Sequence, residues 1–157
     1  MRSMLTLDWS SAGDGDSLIT ITSKSRYAVQ ALTELARLGA LPGGKPVPIA
    51  ELARRREIPL QFLEQLFATL RRAGMLQSQR GVKGGYTFMK DPSQLTVLQV
   101  VQLLEGEFDP EGGGGSNETQ DVWITAVGSL REVLGNTTIA DVVQREAEAA
   151  GAQMYYI

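Results

Sequence analysis

Between Ile49 and Lys90 two apolar helical patterns follow one another almost without a gap, and a glycine-rich hairpin pattern comes directly after them. The first pattern, Ile49, Leu52 and Ala53, ends in Arg54-Arg55-Arg56, and only Glu57 and Ile58 separate it from Pro59. Proline suits the first turn of a helix, where an N–H would have no partner inside the helix anyway. From there Leu60, Leu63, Leu66, Phe67 and Leu70 trace one apolar face to about Ala73, and Gly74 supplies a left-handed stop. A short apolar helix, a tight turn and a longer helix make a helix-turn-helix unit. On the other side of the longer helix stand Gln61, Glu64, Gln65, Ala68 and Arg71, which can face water or base edges equally well.

Residues 75–80 and 86–90 read as two short strands joined by Gly81-Val82-Lys83-Gly84-Gly85. One reading is a plain hairpin whose glycines serve only the turn. The other is a DNA-binding wing, because glycines let the tip approach a phosphate backbone and an arginine such as Arg80 can enter a narrow minor groove. A nucleotide-phosphate loop is excluded, since neither GxxxxGK[ST] nor strand-GxGxxG-helix occurs.

Charge is divided unevenly. The net charge is -3, yet residues 24–90 hold 12 Lys+Arg against 4 Asp+Glu, whereas residues 91–157 hold 2 against 11. The basic middle offers a positive surface to a polyanion, and the bland alternative is a solvated helical face.

Further elements frame this block. Ala28, Ala31, Leu32, Leu35, Ala36 and Leu38 recur at helical spacing over residues 25–38, with Ser23 as N-cap. Thr96 and Gln99 form a capping box before the nearly all-apolar run Val97, Leu98, Val100, Val101, Leu103 and Leu104. Residues 105–117 read as a flexible acidic loop. A long helix with Asn117 and Gln120 at its start carries Trp123, Ile124, Val127, Leu130, Val133 and Leu134 as an apolar stripe, which either a partner chain or this chain's own core must cover. A last helix runs from Thr138, with Asp141, to about Ala150, and Gly151 ends it. The predicted class is mainly α with a small β wing. Residues 1–18 form a mobile extension, 19–92 a winged helix-turn-helix domain, 93–151 a helical dimerisation region and 152–157 a tail.

The 157 residues contain no Cys and no His. Disulfides, thiol nucleophiles, histidine acid-base catalysis and the zinc, haem and iron-sulfur sites built on those ligands are thereby removed, and no metal site is expected. Glu105 and Glu107, set in a flexible loop, have nothing to hold them at a catalytic separation, so the chain is not read as an enzyme. It has no apolar run near 18 residues and no signal-like start, which places it in the cytoplasm, away from membranes.

Several of these segments, in this order and spacing, resemble the Rrf-two family of bacterial winged-helix repressors. They are Ser23-Lys24-Ser25-Arg26-Tyr27-Ala28, Leu63-Glu64-Gln65-Leu66, Leu70-Arg71-Arg72-Ala73-Gly74, Arg80-Gly81, Gly84-Gly85-Tyr86 and Leu103-Leu104-Glu105-Gly106. The resemblance implies a homodimer on a partly palindromic double-stranded DNA operator, its long helices crossing at the Trp123 stripe. It sets Gln61, Glu64, Gln65 and Arg80 at base edges and Lys24, Arg26, Tyr27, Arg71 and Lys83 on phosphates. Physically, Gln pairs with adenine and Glu accepts from cytosine, although Glu64 can instead orient a neighbouring arginine. Lysines and arginines on phosphates supply affinity and salt dependence rather than sequence choice.

Many family members hold an iron-sulfur cluster through three cysteines between the fourth and fifth helices, and here that loop has no sulfur ligand. The chain then resembles the cluster-free cysteine-metabolism repressors. Its end, with Tyr155, Tyr156 and Ile157, also looks like the carboxyl terminus of serine acetyltransferases, whose final Ile enters cysteine synthase (O-acetylserine thiol-lyase). That enzyme is the implied corepressor, unless the tail simply packs on the helices. Two alternatives stay open: a repressor that senses a small molecule between its two regions, and a protein-interaction adaptor on the same scaffold without DNA binding.

Overall fold

The computed structural model describes residues 18–108 and 117–155. Residues 1–17 of the expected mobile extension, most of the acidic loop, and Tyr156 and Ile157 lie outside them. Among the described residues six α-helices and one hairpin occur in the order α1 (Ser23–Arg37), α2 (Ile49–Arg56), α3 (Leu60–Arg72), β1 (Leu76–Gln79), β2 (Gly85–Phe88), α4 (Val97–Glu105), α5 (Asn117–Gly135) and α6 (Ile139–Tyr155). The expected mainly helical class with a small two-stranded wing is observed.

Helix α1 begins two residues earlier than its apolar spacing predicts, because Thr22 rather than Ser23 is the N-cap; its hydroxyl accepts from the Lys24 amide at 3.2 Å. Both residues are cap formers, and Thr22 is the one fixed from outside, by Glu105. Helix α2 ends at Glu57, which adopts a left-handed conformation (φ 53°) although it is not glycine. The Ile58 amide then bonds Ala53 O at 2.9 Å, so the turn into Pro59 and α3 is closed within two residues. Gly74 (φ +80°) ends α3 as expected.

The strands pair antiparallel, with Leu76 opposite Phe88 and Gln79 opposite Gly85. Val47, ahead of α2, adds a bridge to Tyr86 through bonds of 3.1 and 2.9 Å. A Cβ at Gly85 would collide with the Val47 backbone, so the close approach of these segments needs a glycine there. Thr96 and Gln99 form the complete capping box of α4.

One apolar core joins what the sequence divides into two regions. Leu32 and Leu35 of α1, Leu63, Phe67 and Leu70 of α3, and Phe88 of β2 share it with Val100 of α4, Val127 of α5 and Ile139 of α6. Three expectations are corrected here. Leu18 packs against the core rather than belonging to a free extension. Within the expected loop, Glu105 is helical and Phe108 is buried. Helix α6 passes through Gly151 to Tyr155, because one glycine costs a helix only about 1 kcal/mol and the alanines around it are the best helix formers.

Candidate nucleic-acid interface

Helix α3 divides its faces as its spacing dictates. Leu63, Leu66, Phe67 and Leu70 are buried, and Gln61, Glu64, Gln65 and Arg71 are exposed along the other side. Leu60 is the exception, largely exposed at the first turn.

Two ring contacts fix the helix against its neighbours. Tyr27 of α1 meets Phe62 edge-on, with centroids 5.7 Å apart and planes at 81°; Phe67 meets Tyr86 of β2 at 5.1 Å and 82°. Edge-to-face pairs of this kind contribute about 0.5–1.5 kcal/mol beyond their buried area. Tyr27, placed by the resemblance on a phosphate, is thus half-buried with its ring committed to orienting the start of α3. The Phe67–Tyr86 pair ties the hairpin to the same helix, and sequence reading did not single out either partnership.

The basic block is less available than its composition suggests. Arg37, Arg54, Arg55 and Arg56 are all held by carboxylates. Arg54 and Arg55 bind Glu51 at 3.0 and 2.7 Å, and Arg37 and Arg56 converge on Glu34 at 2.7 and 2.9 Å. Arg56 also grips Glu146 of α6 with both terminal nitrogens, at 3.0 and 2.9 Å. Burial acts to raise the Glu34 carboxyl, but hydrogen bonds and charge from Arg37 and Arg56 outweigh it, and the group sits below its ordinary range. Arg56 is therefore structural, and Arg54 and Arg55 are neutralised at the surface by Glu51. Glu51 three and four residues before Arg54 and Arg55 was the signal that could have revealed this.

What remains for a polyanion is Lys24 and Arg26 in the first turn of α1, Lys45 ahead of α2, Arg71 and Arg72 at the end of α3, Arg80 and Lys83 around the hairpin tip, and Lys90 after β2. All eight are exposed, and none has an ion pair among the described residues. Arg72 meets only the Thr69 hydroxyl, at 3.3 Å. Glu64 is likewise exposed and pairs with no arginine among the described residues, so it does not orient one. The structure brings α3, the hairpin and the α1 start into one tied assembly through Tyr27, Phe62, Phe67 and Tyr86.

Glu105 was misjudged as an unheld loop carboxylate. Its Oε1 accepts from the Thr22 amide at 2.9 Å, the Thr22 hydroxyl at 2.5 Å and the Ser25 hydroxyl at 3.1 Å. Partial burial acts to raise its carboxyl, while these bonds and Lys24 pull it lower on balance. It supplies the negative charge that the first turn of α1 lacks, from 83 residues away.

The apolar stripe of α5 is also divided. Val127 is buried in this chain's own core, which corrects its assignment to a partner, while Leu130 and Leu134 are half-buried beside it. Trp123, Ile124 and Val133 are exposed, together with Val122. No helix among the described residues is long and apolar enough to cross a membrane.

Comparison with known proteins gives this geometry a family. A family model described as Rrf2, iron-dependent transcriptional regulator, matches residues 21–145. The HTH-type transcriptional regulator IscR of Sodalis glossinidius is 38% identical over 135 residues, covering 80% of this chain and 79% of that protein. Among solved structures, CymR of B. subtilis, the global cysteine regulator, superposes with a TM-score of 0.73 at 30% identity, covering 81% of this chain and 98% of that one. T. potens IscR gives 0.70 at 34% identity, with coverages of 83% and 90%.

The donor set here does not fit an iron-sulfur cluster. The whole sequence has no Cys or His, and among the described residues no three acidic side chains gather at one point. These relatives are transcriptional regulators rather than enzymes, and by the match over residues 21–145 and the shared winged-helix architecture this chain belongs to the Rrf2 family of transcriptional regulators.

Proposed function

We propose that the protein is a homodimeric repressor that reads a partly palindromic DNA operator without a sulfur-ligated cluster. The observation that carries this reading is the unpaired, exposed set on α3 and the hairpin, held in one orientation by two ring pairs. Gln61, Glu64 and Gln65 meet base edges in the major groove, Arg80 enters the minor groove, and Lys24, Arg26, Arg71 and Lys83 take phosphates. The exposed Val122, Trp123, Ile124 and Val133 of α5 receive a second copy.

The test is fluorescence anisotropy with a duplex selected from a random pool by the protein itself. Arg80→Ala weakens the selected duplex by about 1–3 kcal/mol and relaxes selectivity, whereas Lys24→Ala weakens all duplexes alike and lowers the salt slope by about 1. Equal loss on selected and random DNA for both variants refutes the assignment of Arg80.

For the signal, we propose cysteine synthase acting on the tail at Tyr155, Tyr156 and Ile157, a reading that rests on the end of the sequence; CymR, to which the chain is similar, is a global cysteine regulator. Calorimetry of full-length protein and an Ile157 deletion against cysteine synthase, with and without O-acetylserine, decides it; heat that ignores the deletion overturns it. A second reading draws on a cleft of about 170 Å³ between the end of α3 and the start of α4, lined by Met75, Lys90, Gln94, Leu95 and Gln99. Regulation that survives the Ile157 deletion favours this second reading.

A further inference from the structure

Val82 stands at the most projecting point of the hairpin, and folding gives no reason for a valine there. The Gly84 amide bonds Gly81 O at 3.0 Å, which makes Val82 and Lys83 the two central residues of a tight turn. Such positions favour Gly, Asn, Asp, Ser or Pro, not a β-branched side chain. Val82 is fully exposed and touches none of the core. The turn that carries it requires its glycines: Gly81 has φ +114°, and a Cβ at Gly84 would collide with the Gln79 carbonyl. Arg80 and Lys83 flank it without ion pairs among the described residues.

A single exposed valine needs no explanation by itself. One set between two unpaired cations, on an element tied by Tyr86 to the recognition helix, presents methyl groups wherever the cations are drawn. We propose that Val82 is a specificity residue: its methyls pack on the floor and sugar walls of the minor groove and exclude G·C pairs at the step they touch. This rests on the wing reading given above. In the minor groove A·T pairs show only acceptors, while guanine adds its 2-amino donor. A valine covering that donor keeps water away and offers no acceptor, so the amino group is buried unsatisfied.

The experiment uses the full-length protein and a duplex recovered from a random-sequence pool, with a hydroxyl-radical footprint to locate the minor-groove step under the hairpin. That step is then made A·T, G·C or inosine·C. Wild type is expected to bind the G·C duplex about tenfold more weakly than the A·T duplex, and inosine, which lacks the 2-amino group, restores most of the loss. Val82→Ser supplies an acceptor and narrows the G·C penalty to about threefold or less. Equal binding of G·C and inosine·C by wild type overturns the proposal, and so does a Val82→Ser variant that keeps the full penalty. If Arg80→Ala and Lys83→Ala leave both footprint and affinity unchanged, the wing reading itself has failed; if they weaken binding while Val82→Ser alters nothing, only the role of Val82 has.

Discussion

Replacing Glu34 by Gln tests the account of the basic block most directly. The Glu34 side chain is 2% exposed and receives Arg37 Nε and Nη2 at 3.2 and 2.7 Å and Arg56 Nε at 3.0 Å. The substitution keeps size and one acceptor but turns an amide N–H₂ toward guanidinium donors. Arg37 is 54% exposed, so water screens its pair and its share is a few tenths of a kcal/mol. Arg56 is 19% exposed, and losing a buried charged partner costs about 3–5 kcal/mol when the remaining charge is orphaned. It is not orphaned, because Glu146 still holds it at 2.9 Å. The expected loss is therefore about 2–3 kcal/mol, the range of one or two charge-assisted hydrogen bonds.

Urea unfolding at pH 7 and one fixed protein concentration measures the loss. Glu146→Gln, with a side chain 41% exposed, should cost about 0.5–1 kcal/mol in the same assay. A Glu34→Gln loss below about 1 kcal/mol, or one no larger than that of Glu146→Gln, refutes the claim that the network is built around Glu34. The pH dependence has a fixed sign. The folded Glu34 carboxyl lies below its ordinary value, so its contribution is full above the ordinary carboxylate range and is lost as pH falls through the folded value. The gap between wild type and Glu34→Gln should accordingly close in acid.

Val122→Glu with Val133→Glu should shift sedimentation from dimer to monomer with helicity retained, whereas Val127→Ala, inside the core, should cost about 2 kcal/mol of stability. Gly85→Ala should break the approach to Val47, costing about 1–3 kcal/mol and speeding hydrogen exchange at the Tyr86 amide. Glu105→Ala should cost about 1–2 kcal/mol by releasing Thr22 and Ser25, a loss that also fades in acid because this carboxyl too lies below its ordinary value.

Much of the interface was legible because it depends on local rules. The spacing Leu63, Leu66, Phe67, Leu70 could bury only one side of α3, which left Gln61, Glu64 and Gln65 on the other. Gly74 and the Thr96–Gln99 box marked ends that local chemistry alone decides. The choice between Thr22 and Ser23 as N-cap was not legible, since the residue that settles it is Glu105, far along the chain.

The sequence by itself determined the helix-turn-helix, the glycine hairpin, the excess of basic groups between residues 24 and 90 and the lack of any sulfur or imidazole ligand. These follow from periodicity, turn chemistry and composition, which act over a few residues or over none. Tertiary structure alone decided that Arg56 is spent on Glu34 and Glu146, and which half of the α5 stripe the chain keeps for its own core. It also set the Tyr27 ring edge-on against Phe62 of the recognition helix. Pattern along a chain tells which side chains share a face; only packing tells what that face meets.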